Sequence, residues 1–176
     1  RIDSMRTLVR SKDNGHAVGV GPSRIQTTDG GASWQTRYIN FEAWNHRSIF
    51  FLDADNGWWV GETGFYKWVP AQPDSPATIA INDPYSFRAI HFVTKDDGVA
   101  VGIDGVIYKT VSGDQGPWVK QASDVSEDLN SVHFPVVAVG WAVGDKGVVL
   151  GTSNNGDMWA PQAVDMTFNE LNSVFF

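Results

Sequence analysis

One six-residue phrase returns along the chain at an almost fixed interval: HRSIFF at 46–51, FRAIHF at 87–92, LNSVHF at 129–134 and LNSVFF at 171–176, with starts 41, 42 and 42 residues apart. A weaker copy, MRTLVR at 5–10, precedes His46 by 41 residues. A second phrase keeps the same step, reading GHAVG from Gly15, GWWVG from Gly57, GVAVG from Gly98 and GWAVG from Gly140. A third short apolar run follows at 23–27, 65–69, 106–110 and 148–152, and leads into a turn that ends in Trp in three units of the four. Helical repeats of this length would space their apolar residues by three and four, whereas these runs are short and bounded by glycine, as strands of a propeller blade are. The expected fold is therefore all-β: a β-propeller of about four blades, each of four antiparallel strands, plus one extra terminal strand. Residues 1–176 form one domain in this reading, with blades at about 5–45, 46–86, 87–128 and 129–170 and the first strand of a further blade at 171–176. The glycines at both ends of the second strand, with Gly64, Gly105 and Gly147, suit tight turns that need positive φ.

The turn before the first repeated Trp reads Thr27-Thr-Asp29-Gly-Gly31-Ala-Ser33-Trp34, that is, Ser/Thr-x-Asp-x-Gly-x-x-Trp. This resembles the Asp-box, or bacterial neuraminidase repeat. A degraded copy stands at Thr152, Asn154, Gly156 and Trp159, and a stretched one runs from Thr110 through Asp114 and Gly116 to Trp118. The second unit has lost the box, and Val69–Tyr85, with Pro70, Pro73, Pro76 and Pro84, reads instead as a rigid surface loop bridging two blades. An Asp or Asn side chain accepts hydrogen bonds from the backbone of its own turn, Gly permits a left-handed residue, and Trp pins the hairpin down, so the box reads as a structural staple.

Together, the LNSVHF phrase, Gly-Trp-Ala-Val-Gly, the run from Gly147 to Thr152 and the terminal box resemble the photosystem II assembly and stability factor family and its bacterial relatives. That resemblance implies a seven-bladed, exported or lumenal, non-enzymatic propeller that holds a partner protein and needs no cofactor. A ring of seven such blades takes about 300 residues. The four units here thus read as a fragment or as a partner in self-association through open blade edges. The opening residue, Arg1, also reads as a mature form or an excised piece. Photosynthetic members bind through an arginine-rich surface, while this chain carries net charge −7 and confines six of its seven Arg to residues 1–47. That acidity argues against a nucleic-acid partner, and no apolar stretch approaches the roughly 20 residues of a membrane-spanning helix. Cysteine is absent, which removes disulfides and thiolate chemistry.

Catalytic and metal constellations find no support in the pattern. Phe87-Arg-Ala-Ile90 is similar to a sialidase phrase but lacks its Pro and falls within the strand repeat. Asp53-Ala-Asp55-Asn-Gly57 lacks the remaining ligands of a calcium loop. His91 and His133 share one repeat position, but packed sheets lie about 10 Å apart, which favours packing over a shared metal. Two residues break the repeat: Trp59 stands where Ala17, Ala100 and Ala142 stand, and Arg24 where Tyr66, Ile107 and Val149 stand. Each is either a partner contact, as exposed Trp and Arg often are, or a local compensation within its blade. A carbohydrate-active or lectin-like module and a self-assembling structural propeller remain the alternative functions.

Overall fold

The computed structural model describes residues 6–9, 13–19, 23–38, 45–62, 64–71, 77–79, 81, 86–113, 115–164 and 169–176, with backbone only at 6–9, 23 and 38. Among the described residues sixteen strands make four four-stranded antiparallel sheets, each in sequential meander order. Sheet 1 holds β1 (Arg6–Val9), β2 (Gly15–Val18), β3 (Ser23–Thr27) and β4 (Gln35–Tyr38). Sheet 2 holds β5 (His46–Phe51), β6 (Gly57–Gly61), β7 (Phe65–Lys67) and β8 (Ala77–Ile79). Sheet 3 holds β9 (Phe87–Phe92), β10 (Gly98–Gly102), β11 (Ile107–Thr110) and β12 (Val119–Gln121). Sheet 4 holds β13 (Leu129–Val136), β14 (Val139–Gly144), β15 (Val149–Thr152) and β16 (Ala160–Pro161). Short 3-10 turns at Ile103–Gly105 and Asp145–Gly147 are the only helical elements among the described residues, and no helix there is long and apolar enough to cross a membrane.

The chain divides into two compact units, residues 1–82 and 83–176. The first unit closes over Val18, Ile49, Phe51, Trp59, Tyr66 and Trp68. In the second, sheets 3 and 4 share a core of Ala89, Val99, Val101, Ile107, Leu129, Val132, Phe134, Ala142, Leu150 and Trp159. In β9, Phe87, Ala89, Ile90 and Phe92 are buried, and because the adjacent Ala89 and Ile90 point to opposite faces, the strand is covered on both sides.

Pairing corrects two details of the sequence register. Val9 lies opposite Gly15 as Phe51 lies opposite Gly57, so the first copy of the phrase begins at Ser4 and the step to His46 is a full 42 residues. Arg24 pairs with Val18 as Phe65 pairs with Val60, so its counterpart in sheet 2 is Phe65, not Tyr66. Both slips arise where a degenerate copy carries too few matching side chains to fix its phase. Within the stretch read as a proline-rich bridge, Ala77–Ile79 forms the fourth strand of sheet 2, while 72–76, 80 and 82–85 lie outside the described residues.

The strand-end glycines serve close approach rather than positive φ. A Cβ on Gly57, Gly98 or Gly140 would lie 2.3, 2.5 or 2.6 Å from the ring of Phe51, Phe92 or Phe134, and one on Gly61, Gly102 or Gly144 would lie 2.4, 2.2 or 2.0 Å from the carbonyl oxygen of Asn45, Ser86 or Asp128. Gly105 and Gly147 do take positive φ, 67° and 76°.

The 171–176 segment has no ladder partner among the described residues. Its first amide donates to the carbonyl of Gly144 at 3.0 Å, as His46 donates to that of Gly19 at 3.0 Å. Asn130 Nδ2 donates to the Leu171 carbonyl at 3.2 Å, and the Val174 amide to Ser131 Oγ at 3.2 Å. LNSVFF thus docks on sheet 4 where a next first strand would begin.

Candidate functional site

The turn after β3 is held from within. Asp29 Oδ1 accepts from Thr27 Oγ1 at 2.6 Å and from the Ser33 amide at 2.9 Å, and Thr27 Oγ1 in turn accepts the Gly31 amide at 2.9 Å. After β15 the same pattern recurs with Asn154 in place of Asp. Thr152 Oγ1 donates to Asn154 Oδ1 at 2.9 Å, Asn154 Oδ1 accepts the Met158 amide at 3.0 Å, and Thr152 Oγ1 accepts the Gly156 amide at 3.0 Å. Positive φ falls on Gly30 and Gly31 in one turn and on Asn155 and Gly156 in the other. Each turn is also tied to the loop joining its sheet's first two strands: the Gly30 amide donates to Asp13 O at 2.9 Å, that of Gly113 to Asp96 O at 2.8 Å, and that of Asn155 to Ala138 O at 2.9 Å. The stretched copy keeps Thr110 as acceptor for the Ser112 amide at 3.2 Å, while its Asp114 lies outside the described residues.

These bonds spend the acidic oxygens on backbone and hydroxyl donors. The Ser33 hydroxyl, then that of Thr27, holds the Asp29 carboxyl at about 2, below its ordinary 3.8. A depressed carboxyl supports the folded turn above its unfolded pKa and loses that support as pH falls through the folded one. The carbon-13 titration of Asp29 should therefore have its midpoint near 2 and not near 3.8, and Asp29→Ala should speed protease cleavage between residues 28 and 33.

Two of the three box Trp residues, Trp118 and Trp159, close on a phenylalanine of their own sheet. Phe92 meets Trp118 and Phe134 meets Trp159 edge to face, both at 5.8 Å. Sheet 2, which has no box, makes the same contact with Trp68 against Phe51 at 5.7 Å and 70°. Sequence reading missed Trp68 because it looked for Trp after the box rather than for a ring opposite the phrase's last Phe. In sheet 1 the register puts Val9 at that Phe position, and Trp34 is left 40% exposed.

Both out-of-pattern residues are buried. Trp59 is fully buried, stacked on Tyr66 at 6.0 Å and edge-on to His46 at 6.5 Å. Arg24 is 1% exposed, with Nη1 3.0 Å from His16 Nδ1 and its guanidinium 4.5 Å above the Trp68 ring. His16 stacks on Phe51 at 4.6 Å. Arg24 is thus a buried cation that joins sheets 1 and 2 through aromatic faces. Arg88, of the sialidase-like phrase, bonds Asn130 Oδ1 and Asp128. Asn130 Nδ2 reaches Asp145 at 2.7 Å, so Arg88 belongs to a lattice between sheets 3 and 4.

Asp53 Oδ1 accepts the Asp55 and Asn56 amides at 2.9 Å, a turn cap in place of a cation loop. Among the described residues no group of three or more His, Asp or Glu could hold a metal ion. The imidazoles of His91 and His133 nevertheless come together, with ring centroids 4.9 Å apart at 73°. Sheet spacing did not keep them apart, because both side chains reach into the space between the sheets.

These blades and turns define a class of protein, the β-propeller. No protein-family model and no curated protein matches the sequence; solved structures do. YCF48 bound to D1 peptide is 18% identical, with a TM-score of 0.68 over 94% of this chain and 59% of that one. YCF48 from Cyanidioschyzon merolae is 16% identical, with a TM-score of 0.70 over 93% and 57%. An ancestral GH74 enzyme is 15% identical, with a TM-score of 0.75 over 91% and 24%. The chain therefore spans less than two thirds of each of these propellers, and at such identity the likeness is one of fold. Its fold is that of a stretch of β-propeller, as in YCF48.

Proposed function

We propose that this chain is part of a non-enzymatic, protein-binding scaffold of the Asp-box propeller kind, similar in role to the photosystem II assembly and stability factors. The observation that carries the reading is the shared fold, over 94% of the chain, with a propeller solved holding a peptide. The engagement of Asp29, Asp53 and Asp128 in turn and inter-sheet bonds supports it, since a glycoside hydrolase needs two carboxylates facing one cleft. Affinity capture from a native extract, read by mass spectrometry, should retain a protein partner in fixed ratio. Recovery of no protein together with specific retention on a glycan array would overturn the proposal. The carbohydrate-active reading is favoured by the likeness to the GH74 enzyme and by the exposed Trp34 ring, a surface on which a sugar stacks; hydrolysis of a polysaccharide panel would establish it. The family likeness also proposes an exported protein, which fractionation of the source cells tests.

A further inference from the structure

The fifth residue of the repeated phrase is Phe50, His91, His133 and Phe175 in successive copies. In the second unit these side chains form a ladder, with His91 4.9 Å from His133 and His133 4.7 Å from Phe175. The two imidazoles stand where β9 packs on β13. Opposite them on the neighbouring strands are Val99 and Trp141, and His91 lies 6.2 Å from the Phe134 ring. His133 Nδ1 is buried with no hydrogen-bond partner among the described residues. A proton placed there finds neither water nor an acceptor, and a second proton on the facing ring adds like-charge repulsion at short range.

We propose that the His91–His133 pair is an acid-sensitive latch, in which the neutral rings close sheet 4 onto sheet 3 and protonation releases that packing.

Among the described residues of the packed elements, the charged side chains are engaged elsewhere. On β9 the charged residue is Arg88, bound to Asp128 and Asn130. The turn after β9 carries Lys95, paired with Asp96 at 2.7 Å, and Asp97, which accepts from Thr94 and Asn155. The turn after β15 carries Asp157, bound to Lys109. β10, β14 and 171–176 carry no acidic or basic residue, and β13 none besides His133. Burial, then the charge of His133, brings His91 down to about 4 against a backbone hydrogen bond at Phe134 that favours its charged form, and burial lowers His133 as well. A histidine whose folded pKa is depressed stabilises the fold fully above its unfolded value near 6.5 and loses that support as pH falls toward 4. The support the latch gives to the closed packing therefore weakens between about pH 6.5 and 4.

The latch is independent of what the scaffold binds. Its test compares the folding equilibrium of wild type and of His91→Phe and His133→Phe at pH 7 and pH 5. Phenylalanine is the residue the repeat itself uses at Phe50 and Phe175. Between those pH values the wild type should lose up to about twentyfold more in its folding constant than His91→Phe does. Amide exchange in 129–134, corrected for its intrinsic pH dependence, should rise in wild type alone. His46, also lowered to about 4 by burial, sits in the other unit and is common to both proteins, so it cancels in the comparison. Equal pH dependence of wild type and variants would overturn the proposal. Should neither variant fold, proton NMR titration of His91 in the wild type decides: a midpoint near 4 supports the latch, and one near 6.5 overturns it.

Discussion

Phe134→Ala is expected to destabilise the second unit by about 3–5 kcal/mol in chemical denaturation, the usual loss for a buried aromatic ring. The ring is 3% exposed and meets Trp159 at 5.8 Å and His91 at 6.2 Å. It also lies flat over Gly140, where a methyl group would come within 2.6 Å of it. Gly140→Ala alone should therefore cost about 1–3 kcal/mol through overpacking. Placed on the Phe134→Ala background, the added methyl enters space the ring has vacated, so the two costs should not add. A coupling of about 1 kcal/mol or more in the double-mutant cycle is the expected result. Strict additivity would show that glycine is required there for some reason other than the ring, and the account given for Gly57 and Gly98 would fail with it.

The pairing of a phrase-ending Phe with a strand-opening Gly is also why so much of the fold was legible. The phrase and the Gly-x-x-Val-Gly run recur because sheets 2, 3 and 4 each fit a large ring over a bare backbone and then bring a carbonyl against the next glycine, where a Cβ has no room. The same physics explains what was misread. Where the ring is absent, at Val9, the phase of the phrase was lost by one residue. The role of Trp68 was invisible because the residue that pins the hairpin is selected by its distance from Phe51 in space, and sheet 2 reaches that distance along a different path. The hydrogen bonds of the Thr27 and Thr152 turns were readable because they are local, spanning two to four residues. The burial of Arg24 depends on His16 and Trp68, eight and forty-four residues away, which no local pattern reports. For the same reason the candidate site was less legible than the fold: a binding surface is defined by what the blades leave uncovered, and repeat grammar describes what they cover.

Trp59 gives the sharpest separation of contact from compensation. Trp59→Ala restores the residue that the other three units carry at this position, and a reading from the repeat alone makes it harmless to the fold. The geometry gives the opposite expectation. Trp59 is fully buried, with Tyr66 stacked on it at 22° and His46 perpendicular to it, in a cluster with Val18 and Ile49. Ala100 and Ala142 are equally buried, and the core around Ala142 is made by Leu129, Ile107 and Leu150, whereas that of the first unit includes the indole itself. Removing it leaves a cavity that Tyr66 and His46, held by their own strands, cannot close, and the loss should be about 3–5 kcal/mol. Trp59→Phe, which keeps a ring against Tyr66, should recover a large part of it. Thermal unfolding of the two variants decides. A Trp59→Ala protein as stable as wild type but deficient in partner capture would make the indole a contact after all; a parallel loss of fold and capture leaves it a core residue whose effect on binding is indirect.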